Sequence, residues 1–328
     1  MAGRLLQDAG LDFRLAPHGT QSPARNPRYI PPDSLVEVTC RTIHGRFLLL
    51  PGRDLNAIII GALAKAQQRY GMVVCGLVYL SNHCHLLLQP RNARQLARFM
   101  NYVNSKIARE AGRLHWWREK LWGRRYGSVI VSDEPEEERA RLRYLLAQGC
   151  KEGLVESPKQ WPGATSAQAH SQGWKLSGLW FDRTAEHKAR KRGEHVPKLR
   201  FAEALELVIT PIPSWRDEPE HRIDARVRAL VREIEDETRE EIRRTGRQPL
   251  GRQAILEQHP HAQPASFEPS PAPRFHAHRC SVRRRLENAF RRFLHAYREA
   301  SSLFRQGKEA TFPPGSFLPS PGFNPAPG

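Results

Sequence analysis

The sequence is poor in cysteine, and its five cysteines, Cys40, Cys75, Cys84, Cys150 and Cys280, are odd in number and widely spaced. No CxxC pair occurs, which excludes a zinc ribbon. The opening "MAGRLLQDAG" has no apolar core of the kind a secretory signal carries. Scattered cysteines without a signal argue against a disulfide framework and for a reducing, cytoplasmic location. No run is long and apolar enough to span a bilayer, so no membrane association is expected. There is no nucleotide-cradling glycine loop and no visible internal repeat. Acidic residues are scarce relative to basic ones: 34 Asp and Glu stand against 52 Lys and Arg, a net charge of +18. A basic surface of this size favours polyanions, of which nucleic acid is the commonest in a cytoplasm.

What is present reads as two unequal parts. Residues 1–26 form a flexible leader. "SLVEVTCRTIHG" (34–45) alternates Leu35, Glu37, Thr39 and Arg41 against Val36, Val38, Cys40 and Thr42, the period of a strand. Residues 53–70 read as a helix with Asp54 as N-cap and Gly71 as its stop. "MVVCGLVYL" and "HCHLLLQP" are strands joined through Ser81-Asn82, a tight hairpin. Residues 92–112 carry one apolar helical stripe (Leu96, Phe99, Met100, Val103, Ile107), with Arg94, Arg98, Lys106 and Arg109 on the remaining surface. Residues 121–132 read as a strand and 133–153 as one helix with acidic residues in its first turn, where the helix dipole favours them.

The order strand, helix, strand, strand, helix, strand, helix does not alternate as a doubly wound sheet does. It predicts an α+β fold: a mainly antiparallel sheet with helices on one face, the other face free for a ligand. After residue 167 the composition changes. Residues 168–310 read as a mostly helical, basic accessory region. It holds an exposed basic segment at 186–200, a charged helix at 217–245, a Pro-rich linker at 258–274 and an arginine-rich amphipathic helix at 281–307. Residues 311–328 form a Pro/Gly-rich tail without regular structure.

In a strand, residues i and i+2 share a face. His83 and His85 therefore point one way while Cys84, Leu86 and Leu88 point into the core. The two imidazoles, about 7 Å apart at the backbone by strand rise, can share a metal; Cys84 cannot join them. Two polar residues on a solvated strand face are the plainer explanation, and a third ligand is what would exceed it. "FHAHRC" repeats the spacing at His276 and His278, but it follows a Pro-rich loop and reads as loop histidines. On the helix ending near Gly153, Tyr144 and Gln148 stand at i and i+4, neighbours on one face, and Lys151 continues the stripe. An amide oxygen can bind a hard cation, a lysine can offset phosphate charge, and a tyrosine can act as nucleophile. Tyr102 and Tyr126 are weaker candidates: Tyr102 has Lys106 at i+4, and Tyr126 lies on an expected strand beside Arg124 and Arg125.

"LSNHCHLLL", "YLLAQGCKEGLV" and "SPKQWPGATS" together resemble the single-tyrosine HUH transposases, and more closely the transposases associated with repetitive extragenic palindromes. The resemblance covers residues 27–167, the expected catalytic domain. It implies His83, His85 and Gln148 as ligands of Mg²⁺ or Mn²⁺, and Tyr144 as the nucleophile on single-stranded, hairpin-forming DNA. The product implied is a 5′-phosphotyrosine, with Lys151 a candidate for charge neutralisation. Cys84 stands where an aliphatic residue is usual. Many palindrome-associated relatives carry Asn at the amide position, whereas this chain has Gln148, as the insertion-sequence branch does. Arg41, Arg94, Arg98, Lys106, Arg124 and Arg125 are the candidate DNA contacts. Rival readings are a non-catalytic nucleic-acid-binding protein, an HUH replication initiator or relaxase, and a metal-dependent hydrolase, which would need carboxylates near the hairpin, where the sequence offers none. Monomer and homodimer stay equally open.

Overall fold

The computed structural model describes residues 27–197, 199–264 and 273–317. The leader (1–26), part of the Pro-rich linker (265–272) and the end of the tail (318–328) lie outside the described residues. The strands are β1 (Val36–Arg41), β2 (Val73–Tyr79), β3 (His83–Gln89), β4 (Gly127–Val131), β5 (Lys175–Phe181), β6 (Ala202–Val208) and β7 (Phe275–His276). The helices are α1 (Arg53–Tyr70), α2 (Ala93–Leu114), α3 (Pro135–Leu146), α4 (Gln148–Lys151), α5 (Arg183–Lys191), α6 (Glu220–Thr245), α7 (Arg252–Leu256) and α8 (Cys280–Arg305).

The main sheet runs β2-β3-β1-β4-β7, antiparallel except for the β4–β7 pair. The α+β class with a mainly antiparallel sheet is as expected. The alternation in β1 and β3 sends Val36, Val38, Cys40, Cys84, Leu86 and Leu88 into one core with α1 and α2. The opposite face is not open along its length. Leu35, Leu87 and Val131 pack there against Leu142, Leu145 and Leu146 of α3 and the Ile223–Ile234 stripe of α6. What stays accessible is the end of that face where β3 begins.

Several boundaries differ from the sequence reading. The strand expected over 121–132 is confined to β4, with Trp122 making only an isolated bridge to Thr42. The helix expected over 133–153 breaks at Ala147, giving α3 and the short α4. Gly52, not Asp54, is the N-cap of α1, whereas Gly71 closes it in the left-handed conformation. The basic 186–200 segment starts inside α5, and the β5–β6 hairpin around it was not foreseen. That hairpin lies on α1 at near-contact of the backbones. A Cβ on Gly61 would fall 2.2 Å from the Leu179 carbonyl, and one on Gly178 would fall 2.3 Å from the Gly61 nitrogen. Only two glycines allow this approach.

The region beyond residue 167 is joined to the sheet. β7 adds beside β4, and α8 packs Phe290 and Phe293 on Tyr29, Ile130 and Phe275. Glu134 at the start of α3 fixes the start of α8: its carboxylate accepts from the backbone N–H groups of His278 and Arg279 and from the Arg279 guanidinium. Among the described residues, no helix is long and apolar enough to cross a membrane.

Candidate active site

Register brings the candidate residues to one end of the sheet. β1 and β3 pair with Arg41 opposite His83 and Thr39 opposite His85. Glu37, two residues before Thr39, shares their face. α3 crosses this face with its leucines down, and Tyr144 is half-buried beside the histidines. The His83 and His85 rings have centroids 5.3 Å apart, and the Tyr144 ring lies 5.7 Å from that of His85, edge to face.

The break at Ala147 places Gln148 at the start of α4, where only 1% of it is exposed. Its Nε2 donates to the Tyr144 carbonyl at 3.1 Å, satisfying one open carbonyl of α3. The same amide lies beside the His83 ring. Lys151 stands with Nζ 4.5 Å from the Tyr144 ring centroid, and the Arg141 guanidinium is 5.0 Å from it. The structure therefore brings together His83, His85, Tyr144, Gln148 and Lys151, five residues separated by up to two helices and one strand in the chain.

Three participants were missed in the sequence. Glu37 is 5% exposed and lies between two imidazoles. Its Oε1 is 2.9 Å from His85 Nδ1, and its Oε2 is 3.0 Å from His276 Nε2. Burial alone would raise its pKa, but the hydrogen bonds from His276 and His85 outweigh that and bring it down to about 2. His276 was read as a loop residue; it lies in β7, at the end of the sheet, and faces the site. Arg141, the third, has its guanidinium 4.0 Å from Glu37 and forms an ion pair with Glu137. The expectation that no carboxylate lies near the hairpin thus fails at Glu37, although both its oxygens are already committed to histidines.

Among the described residues no three His, Cys, Asp or Glu side chains are grouped to hold a metal. The donor set here is two imidazoles and an amide, and it fits a divalent cation. His83 Nδ1 is 2.6 Å from Asn82 Oδ1, and His85 Nδ1 is held by Glu37. With each Nδ1 engaged, Nε2 is the ring nitrogen a cation would take, the arrangement in which an outer carboxylate or amide fixes the imidazole's tautomer and orientation. Burial, followed by the His85 and Arg41 charges, pushes the His83 pKa down to about 3, with the neighbouring Gln148 amide opposing. A neutral ring is the form that can ligate.

Of the candidate DNA contacts, Arg41 and Arg124 lie at this end of the sheet; burial lowers the Arg41 pKa, and the Arg124 charge adds to that. Arg125 lies over Tyr126. Arg94 and Arg98 are exposed on the first half of α2. Lys106 is covered by the β5–β6 hairpin, its Nζ 5.2 Å from the Trp180 ring centroid, and burial lowers its pKa.

Residues 50–148 match the family described as Transposase IS200 like. The transposase resemblance seen in the sequence and the matched family agree, and the matched span holds His83, His85, Tyr144 and Gln148. Two solved structures are similar to this chain. One is a REP-associated tyrosine transposase bound to a REP hairpin, at 15% identity over 58% of this chain and 100% of that one, with a TM-score of 0.37. The other, from Deinococcus radiodurans R1, is also described as a transposase, at 16% identity over 40% of this chain and 97% of that one, with a TM-score of 0.26. No curated protein matches.

Proposed function

We propose that this IS200-like transposase cleaves and rejoins single-stranded DNA through a covalent bond between Tyr144 and a 5′-phosphate. The supporting observation is the placement of a half-buried tyrosine ring 5.7 Å from His85, between two cations and beside a buried amide. The Tyr144 hydroxyl oxygen attacks phosphorus and the bond to the 3′ oxygen breaks. The tyrosine gives up its proton and the departing 3′ oxygen gains one, leaving a free 3′-hydroxyl. Attack by a 3′-hydroxyl on the phosphotyrosine reverses the exchange. One P–O bond replaces another at each step, so no nucleotide hydrolysis is needed.

His83, His85 and Gln148 would hold Mg²⁺ or Mn²⁺. When bound, that ion supplies Lewis-acid polarisation and orientation of the scissile phosphate. Glu37 holds the Nδ1 side of His85 and so presents its Nε2 to the site. Lys151 and Arg141 offset the phosphate's negative charge next to Tyr144. The substrate form is DNA able to fold back into a hairpin, as the resemblance to the palindrome-associated transposases implies.

The test is incubation of the chain with single-stranded oligonucleotides from its gene's own flanks and Mn²⁺, followed by a denaturing gel. A protein–DNA adduct is expected, and it should vanish in Tyr144→Phe, which loses one hydroxyl and little else. An adduct retained by Tyr144→Phe rejects the nucleophile. Full cleavage in excess chelator, or by a variant with both His83 and His85 changed to Ala, rejects the metal.

A further inference from the structure

The described surface carries one large hydrophobic side chain held almost wholly in solvent: Trp116 is 85% exposed. Its backbone is in the left-handed region, with φ 54°. It follows α2, whose C-cap is His115, and the Trp117 N–H reaches back to the Gly112 carbonyl at 2.9 Å. Trp116 therefore occupies the position after the cap that most often goes to glycine, because a Cβ is strained there. Strain of this kind persists only where the surroundings impose it, and it clusters at ligand sites. Its two tryptophan neighbours are tied down instead. Trp117 Nε1 donates to the Lys120 carbonyl, and Trp122 Nε1 donates to the Asn104 carbonyl.

Trp116 stands on the wall of a groove of about 1140 Å³ between the second half of α2 and residues 116–126. Arg109, Arg118 and Arg124 line it, all exposed and with no ion-pair partner among the described residues. Lys120 and Arg125 add charge, and Glu119 is the one acidic residue in the lining. Asn101 and Asn104 supply amides along its floor. The groove reaches the proposed active site through the backbone: Gly123 N–H bonds the Arg41 carbonyl, Ile43 N–H bonds the Leu121 carbonyl, and Arg41 lies opposite His83 in the sheet.

We infer that this groove binds unpaired nucleotides next to the cleaved phosphate, with a base stacked on Trp116 and phosphates on Arg109, Arg118 and Arg124. An aromatic face beside a row of cations is the chemistry that recognises single strands, since every base has a π-face and every linkage a charge. In duplex DNA the bases are stacked on each other and Trp116 has nothing to accept. This rests on the strand-transfer reading for its substrate, but it is separable, since binding does not need the Tyr144 hydroxyl.

The experiment uses the full chain and fluorescein-labelled oligonucleotides, single-stranded and as a blunt duplex, read by anisotropy across a salt series. Trp116→Ala should weaken single-strand binding roughly 5- to 150-fold, the range for loss of one stacking partner. It should leave duplex binding and the salt slope unchanged. Trp116→Phe should restore most of the loss. Arg118→Ala combined with Arg124→Ala should instead lower the salt slope for single strands by about 1.4 units. The ring is in solvent, so an unchanged melting temperature should accompany Trp116→Ala. Equal single-strand affinity of Trp116→Ala and the parent overturns the inference. So does an equal loss on duplex, or a loss of self-association without loss of DNA affinity, which would make a second copy the occupant. Tyr144→Phe distinguishes the two readings. Should the parent form no adduct while Trp116→Ala still loses single strands, strand transfer falls and the groove stands. With an adduct formed and Trp116→Ala binding normally, the reverse holds.

Discussion

Replacing Glu37 with Gln tests how the sheet presents His85. The carboxylate is 5% exposed, within 2.9 Å of His85 and 3.0 Å of His276. Its pKa falls from an ordinary 4.5 to about 2, because the two histidine hydrogen bonds exceed the cost of burial. The group is therefore easier to ionise folded than unfolded. Its contribution is fully present above pH 4.5 and is lost as pH falls towards 2. A shift of this size corresponds to about 3 kcal/mol. Gln has the same shape but cannot ionise, so the variant should lack this acid-dependent term. Urea unfolding of parent and Glu37→Gln at a series of pH values from 7 to 2 measures it. The stability gap between them should be widest at neutral pH and close by about 3 kcal/mol on acidification. At neutral pH the variant should also bind Mn²⁺ about 10- to 100-fold more weakly, the usual effect of losing an outer partner of a ligating histidine. A constant stability gap across the series would refute the electrostatic account. Unaltered Mn²⁺ affinity would refute the positioning of His85 by Glu37.

Two further outcomes follow from packing and charge. Gly61→Ala should destabilise the fold by at least about 1–3 kcal/mol in urea unfolding, since the new methyl would meet backbone rather than a side chain that can move; a neutral result would mean that the β5–β6 hairpin does not rest on α1. Lys151→Met should slow adduct formation about 10- to 100-fold, less than a buried donor because Lys151 is exposed, while Mn²⁺ affinity stays as in the parent; equal rates would remove Lys151 from the reaction.

The chain's local patterns determined much of this site. Alternation in "VEVTCR" and "HCHLLLQ" fixed which residues of β1 and β3 enter the core, because neighbouring strand side chains must point to opposite faces. That alone put His83 and His85 on one surface. The i, i+4 spacing of Tyr144 and Gln148 survived even though the helix breaks between them. The break falls at Ala147, itself a good helix former, and its one local mark is Gly149 two residues on. The β5–β6 hairpin left a fainter trace: Leu205 and Leu207 alternate with Glu206, a two-residue period too short to stand out beside the charged segment before it. Tertiary structure alone decided the partners of His85. Glu37 is on a strand 48 residues away in the chain and reaches His85 only through the β1–β3 register. His276 comes from more than a hundred residues further on, and only by the pairing of β7 with β4. Its two-residue strand has no periodicity of its own to reveal it. Local periodicity reports the face a side chain takes. Which other chain segment arrives at that face is set by strand order and register, which depend on burial summed over the whole molecule.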